Sequence, residues 1–128
     1  MQYIQKKHII KECNFKINKL EDIDKSNISL NITGNSMIPK NLIFAKKGDI
    51  IIQLNLCFGS EKEPFELTMS TEMYLDVKID PKEKISTNSL EKYCADIALK
   101  KLLESSNKFI ELSGLPPLTI PNIEFENN

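Results

Sequence analysis

The chain has 128 residues, which is enough for one domain with a single core and too few for two. Lysine and arginine total 17 against 18 aspartates and glutamates, so the formal charge is -1 and lacks the basic excess of a phosphate-binding surface. No apolar run at the start has the length of a signal-peptide core, and no window approaches the roughly 18 to 20 apolar residues of a membrane span. We therefore expect a soluble cytoplasmic protein that binds neither nucleic acid nor membranes.

The residues that usually carry chemistry are few and scattered. Cys13, Cys57 and Cys94 stand far apart without a CxxC pair, a spacing typical of reduced thiols that pack as small hydrophobic residues. The only histidine is His8, whereas a metal site needs clustered ligands. Neither a nucleophile motif nor a glycine-rich phosphate loop occurs in the sequence. We therefore predict no metal, no cofactor and no enzymatic activity.

Four stretches alternate between apolar and polar residues, the pattern of strands with one buried face. They cover approximately residues 8–17, residues 28–33, Asp49 to Phe58, and Phe65 to Ile79. In the fourth stretch the alternation is broken only by Thr71 on the inner side and Tyr74 on the outer side. The predicted inward residues are Ile9, Cys13, Phe15 and Ile17 in the first strand, Ile28, Leu30 and Ile32 in the second, Ile50, Ile52, Leu54, Leu56 and Phe58 in the third, and Phe65, Leu67, Met69, Met73, Leu75, Val77 and Ile79 in the fourth.

Two connections separate the later strands. Gly59 to Pro64 is short and polar, which predicts a hairpin loop and makes the third and fourth strands antiparallel neighbours. Gly34 to Gly48 is longer and contains an apolar patch, Leu42 to Phe44. We favour a loop that this patch pins to the sheet, and the alternative is a binding arm.

After the fourth strand the pattern becomes helical. Asn88 is the predicted N-cap, with Glu91 three positions later, and Gly114 followed by Pro116 predicts the end, which gives a helix of about 25 residues. Its apolar residues cover an arc of roughly 180 degrees, wider than the usual core-facing stripe of about 100 degrees. Phe109 and Ile110 lie on opposite sides of this arc and cannot both face one sheet, so we expect exposure at these two positions.

The segment after the helix, LSGLPPLTIPNIEF, combines one glycine and three prolines with apolar residues. Proline donates no backbone hydrogen bond and restricts the preceding residue, so this tail can form neither a helix nor an inner strand. It either plugs the protein's own core or forms a semi-rigid flap over the helix and the sheet edge, where a bound segment would contact it.

The predicted helix is too narrow for the predicted sheet. Four strands about 4.8 Å apart form a sheet nearly 20 Å wide, whereas a helix with its side chains is about 10 to 12 Å wide. The apolar surface that the helix leaves uncovered must meet copies of the same chain or other polypeptides.

Residues Tyr93 to Phe125 resemble SecB, the bacterial export chaperone that holds preproteins unfolded. The shared pattern is a Tyr-Cys pair, a helix, a glycine turn and an apolar ending with prolines, formed here by Tyr93, Cys94, Gly114, Leu115, Pro116, Leu118, Ile120, Pro121 and Phe125. A weaker similarity covers Ile4, Gln5, Lys6, Lys11, Glu12 and Phe15.

The resemblance implies a single α+β domain over residues 1–128, in which one long helix packs on one face of a four-stranded antiparallel sheet. It also implies a homo-oligomer, as a dimer or a dimer of dimers, that binds unfolded polypeptide clients in apolar grooves between helix and sheet. The helix arc, the apolar loop patch and the resemblance together predict client-binding residues Phe44, Phe109, Ile110, Leu115, Pro116, Leu118 and Ile120. The predicted oligomer-interface residues are Leu67, Met69, Thr71, Leu99, Leu102 and Leu103.

The sequence departs from SecB where SecB docks on the translocase motor SecA. SecB usually continues into a second helix and a basic tail, whereas here Phe125 is followed by Glu126, Asn127 and Asn128. Glu12 matches the acidic sheet patch, but Lys16 replaces an acid and Thr68 stands where another would be, so SecA is a disfavoured partner.

The predicted function is an ATP-independent holding chaperone for preprotein or antitoxin-like clients. The alternative is a non-chaperone oligomeric adaptor with one dedicated protein partner.

Overall fold

The computed structural model describes residues 1–19 and 28–114. The elements are β1 (Gln2–Ile17), β2 (Leu30–Met37), α1 (Leu42–Ala45), β3 (Lys47–Gly59), β4 (Phe65–Lys78) and α2 (Thr87–Leu112). The strands form one antiparallel sheet in the order β1-β4-β3-β2, and α2 packs on one of its faces. The predicted α+β architecture is confirmed. Neither helix in these two ranges has the length and hydropathy needed to span a membrane.

The β3–β4 hairpin builds the centre of the sheet. Its inward residues pair directly, as Ile50 does with Leu75 and Leu56 with Met69, and all of them are buried beneath α2. Gly59 ends β3 with φ of +85°, and a Cβ there would lie 2.0 Å from the Phe65 carbonyl oxygen. Because only glycine fits this conformation and this close approach, the sequence fixes the turn at the predicted place.

The N-cap of helix α2 lies two residues before the predicted one. The N-cap is Ser86, whose Oγ accepts a hydrogen bond from the Ser89 backbone N–H at 3.1 Å. Asn88, the predicted cap, is exposed within the first turn, so that prediction was wrong. The predicted end is confirmed, since the helix stops at Leu112 and Gly114 takes φ of +81°.

The link before β3 is shorter than predicted because residues 34–37 extend β2. After β2, α1 forms a single turn that buries Leu42 against Gly48. A Cβ added at Gly48 would lie 2.7 Å from Leu42 Cδ1. The apolar patch therefore pins the link to the sheet, as predicted. Phe44 takes no part in this anchoring and is 92% exposed.

Strand β1 contains two irregularities, one between Gln5 and Lys7 and one between Ile10 and Glu12. Each inserts a residue that has no partner on β4, which reverses the alternation of side chains along the strand. Ile9 consequently pairs with Glu72 on the helix-free face, although the sequence pattern placed it with Cys13 and Phe15. That prediction was wrong because the pattern does not show the bulges.

Candidate functional site

Helix α2 covers the central strands and leaves the helix side of β1 partly uncovered. Tyr3, Ile10 and Ile17 are 44%, 47% and 43% exposed. Their partners on β4 are the inward residues Val77, Thr71 and Phe65, which places all three on the helix side of the sheet. We call Tyr3, Ile10 and Ile17, together with the half-buried Phe15, the β1 flank. It is the surface that the width comparison predicted one helix would leave open.

Aromatic contacts join the β1 flank to the rest of the domain at both ends. Phe15 packs edge-on against Phe109 of α2, with ring centroids 5.5 Å apart, and lies 6.2 Å from Phe65. At the other end Tyr3 packs edge-on against Tyr93, with centroids 6.1 Å apart. Such contacts restrict the aromatic side chains, so the flank is held in a defined shape.

His8 lies between these two ends and faces α2. Its Nε2 is buried and has no hydrogen-bond partner among the residues that the structure describes. Burial lowers the pKa of His8, the charge of Lys101 lowers it further, and Glu104 opposes both effects. The neutral imidazole is thus favoured, which keeps this part of the helix side free of added positive charge.

The backbone of β1 is also available for contact. The strand is at one end of the sheet, so only its β4 side is paired within the described ranges. The free side presents a row of backbone N–H and C=O groups that another extended chain can pair with. In the part of the chain that the structure describes, the β1 flank therefore combines exposed apolar side chains with an unpaired strand edge.

The described part of the chain places the predicted client-binding residues in different environments. Phe44 is on α1 and is exposed, whereas Phe109 is half-buried against Phe15. Ile110 is 1% exposed, so its expected exposure was wrong; the last turn directs Leu112 outward instead, at 87% exposure. The remaining four predicted residues lie outside the described residues: Leu115, Pro116, Leu118 and Ile120.

The six predicted interface residues form part of the core of a single chain. Each is at most 4% exposed beneath or within α2: Leu67, Met69, Thr71, Leu99, Leu102 and Leu103. In the single chain, α2 and the sheet cover these side chains. The structure thus gives them a packing role within the domain, and their role in an assembly stays a prediction.

Sequence reasoning missed Tyr3 and Ile10 as parts of this site. The apolar alternation becomes regular only after residue 8, so the strand was predicted to begin too late to include Tyr3. Ile10 occupies the inward position because of the bulge at Lys11. The available signal was the apolar content of residues 3–10, which a strict period of two does not detect.

The cysteines have separate environments and provide no metal site. Cys94 is buried, and burial raises its pKa to about 12, whereas Cys13 and Cys57 are exposed rather than part of the core. Within the ranges that the structure describes, no group of three potential ligands could hold a metal ion.

The helix-free face of the sheet is polar at its centre. Glu72 is buried there and accepts hydrogen bonds from Lys11 Nζ at 2.6 Å, Tyr74 Oη at 2.7 Å and Gln53 Nε2 at 2.9 Å. The Lys11 hydrogen bond is the largest cause of a Glu72 pKa lowered to about 2. This network joins β1, β4 and β3 on the face opposite the β1 flank.

The sequence matches no protein-family model and no curated protein. Among solved structures, the SecB-like chaperone of Mycobacterium tuberculosis in complex with a ChAD peptide from the HigA1 antitoxin has a TM-score of 0.62 at 11% identity, over 94% of this chain and 90% of that chain. A protein of unknown function from Streptococcus agalactiae has a TM-score of 0.57 at 13% identity, over 95% of this chain and 98% of that chain. At these identities the likeness concerns the fold, and the chain has the SecB-like fold.

Proposed function

We propose that this chain is a holding chaperone that binds unfolded polypeptide segments along the β1 flank without ATP. The observation that carries the proposal is the exposure of Tyr3, Ile10 and Ile17 on one side of a strand whose outer edge has no pairing partner among the described residues. The fold supports it, since a protein with the same fold is a SecB-like chaperone seen with an antitoxin peptide. Preprotein and antitoxin-like segments are the client classes that we propose.

The geometry suits an extended client. A client strand that pairs with β1 directs every second side chain toward the helix side, where the exposed flank residues lie. From Tyr3 to Ile17 the strand is about 45 Å long at ~3.3 Å per residue, so one client segment has several positions at which to bind. Backbone pairing is independent of side-chain identity, which favours broad client selection.

The expected binding is weak and reversible. Burial of a few hundred Å² of apolar surface stabilises a complex by several kcal/mol at about 25 cal/mol per Å², before the cost of ordering the client. Binding of this strength lowers the concentration of free unfolded chain by mass action and needs no chemical step. We propose that a homo-oligomer, either a dimer or a dimer of dimers, presents several such surfaces and so increases the avidity.

Replacing Ile10 by Lys tests the site, and replacing Ile4 by Lys is the matched control. Both isoleucines are exposed on β1, but Ile4 pairs with Asp76 on the helix-free face. We expect Ile10→Lys to weaken suppression of client aggregation about tenfold, because a charge replaces apolar contact, and Ile4→Lys to change it less than about twofold. Light scattering of several unrelated refolding proteins measures the effect, and thermal unfolding verifies that both variants fold.

The same assay separates the chaperone from an adaptor. Suppression limited to one client would support an adaptor with a dedicated partner, and equal effects of the two substitutions would contradict the β1 flank as the site. Native mass measurement of both variants at low micromolar concentration completes the test. If Ile10→Lys dissociates the oligomer in step with its loss of suppression, the flank is an assembly surface and the client site lies elsewhere.

A further inference from the structure

A groove of about 940 Å³ crosses the helix-free face of the sheet, opposite the proposed client site. Residues from all four strands line it, near the end of the sheet at which β1 begins. On the β2 side its wall is apolar and is formed by Met37, Ile38 and Pro39. Lys6 and Lys7 line its β1 side. The groove is therefore apolar at one end and cationic at the other.

The floor between the two ends is partly apolar. Ile51 and Tyr74 pair directly across β3 and β4 and both line the groove. Tyr74 Oη donates to Glu72 at 2.7 Å, and Lys7 Nζ lies 5.7 Å from the centroid of the Tyr74 ring. The hydrogen bond to Glu72 raises the pKa of Tyr74, so the phenol remains a donor and its ring position is fixed.

The cationic end extends beyond the groove lining. Lys47 and Lys78 are exposed and pair directly, next to the paired Asp49 and Asp76. Lys6 contacts Asp49 at 3.4 Å, which neutralises the one carboxylate among the described residues that line the groove. Four lysines and two aspartates thus give this end a positive charge, although the whole chain has a formal charge of -1.

We propose that this groove binds a short acidic peptide segment of another protein, anchored by one aromatic or large apolar residue. The anchor packs on Met37 and Ile51, and the carboxylates pair with the lysines around Lys7. Three strand spacings separate β1 from β2, about 14 Å, so about four extended residues separate the anchor from the carboxylates. The apolar floor and Asp49 disfavour a continuous phosphate backbone, which makes a peptide the better match than nucleic acid.

The test uses a fluorescein-labelled peptide in which a phenylalanine is followed, about four positions later, by two glutamates. Fluorescence anisotropy with the full chain measures its affinity. We expect Lys7→Glu to weaken binding at least about tenfold, because it places like charges together. The matched control is Lys16→Glu, on the same strand and face but paired with Glu66 away from the groove, and it should change affinity less than about twofold.

A second variant tests the apolar end. Met37 is exposed on the edge strand β2, so Met37→Ser leaves the core intact and should weaken the peptide about threefold or more. A peptide with lysines in place of the glutamates should not bind. Four results would overturn the proposal: no binding to the unmodified chain, equal effects of Lys7→Glu and Lys16→Glu, equal binding of the lysine peptide, or a single-stranded oligonucleotide competing as well as the acidic peptide.

Discussion

Glu72 accepts hydrogen bonds from side chains of three different strands, Lys11 on β1, Gln53 on β3 and Tyr74 on β4. A buried carboxylate is unfavourable unless its oxygens are satisfied, and here both of them are. Because β1 contains two bulges, side-chain bonds of this kind help to hold its register against β4. The Glu72 carboxylate on the polar face thus helps to position β1, and with it the β1 flank on the other face.

The stabilising contribution of Glu72 is expected to depend on pH. Its pKa falls from the ordinary 4.5 to about 2 in the folded chain, so the unfolded chain takes up the proton first as the pH decreases. The contribution is fully present above about pH 4.5 and is lost as the pH falls toward about 2. Glu72→Gln should therefore be less stable than the unmodified chain near pH 6, and the difference should narrow near pH 2.5.

Urea unfolding at the two pH values measures this difference in the free energy of unfolding. A Glu72→Gln variant that is equally destabilised at both values would show that the carboxylate charge does not matter. A variant that is as stable as the unmodified chain at both values would show that the hydrogen-bond network does not contribute to stability.

At the scale of elements, local chemistry decides where α2 begins. Ser86 has extended backbone angles and its Oγ accepts from the Ser89 N–H, whereas Asn88 is already inside the helix. Ser86→Ala should lower the free energy of unfolding by about 1 kcal/mol, a typical value for a lost N-cap. Asn88→Ala should have little effect or stabilise slightly, because alanine has the higher helix propensity.

Chemical denaturation of both variants compares the two positions directly. If Asn88→Ala lowered the free energy of unfolding more than Ser86→Ala, Asn88 would be the N-cap, as the sequence pattern predicted. Circular dichroism would show whether either change shortens the helix.

The sequence predicted elements well where one physical signal dominates. The alternation of β3 and β4, the hairpin at Gly59 and the end of α2 near Gly114 all agree with the structure. The start of α2 was missed because Ser86 and Asn88 are both good caps, and their choice depends on backbone angles that sequence does not specify. The face of Ile10 was missed for a related reason, since a bulge is a property of two strands rather than of one.

At the scale of the whole molecule, the comparison between the widths of the helix and the sheet predicted that part of the apolar sheet surface would stay uncovered. One helix buries the inward residues of β3 and β4, and the edge strand β1 retains exposed apolar side chains on the same face. The comparison did not reveal which strand would be left open, because strand order is a non-local property. It also gave no indication of the groove on the opposite face, whose lining comes from four separate strands.

The two proposed surfaces lie on opposite faces of one sheet, so they should act independently. Side chains along β1 point to both faces of the sheet: Ile10 lies on the helix side and Lys7 on the helix-free face. Saturation with an unfolded client should therefore change the affinity of the acidic peptide by less than about twofold, since sites without shared contacts are usually additive. In the same way, Lys7→Glu should leave aggregation suppression unchanged and Ile10→Lys should leave peptide affinity unchanged.

Anisotropy titration of the labelled peptide in the presence and absence of a permanently unfolded client measures this independence. Competition between the two ligands would mean that the client also uses the helix-free face, or that β1 shifts its register when either ligand binds. The Lys11→Met variant distinguishes these explanations, because it removes the side-chain bond from β1 to Glu72 and leaves the Tyr74–Glu72 bond and the lysines of the groove in place. If that variant increases the competition, the sheet transmits the effect through β1, and if it does not, the two ligands share one surface.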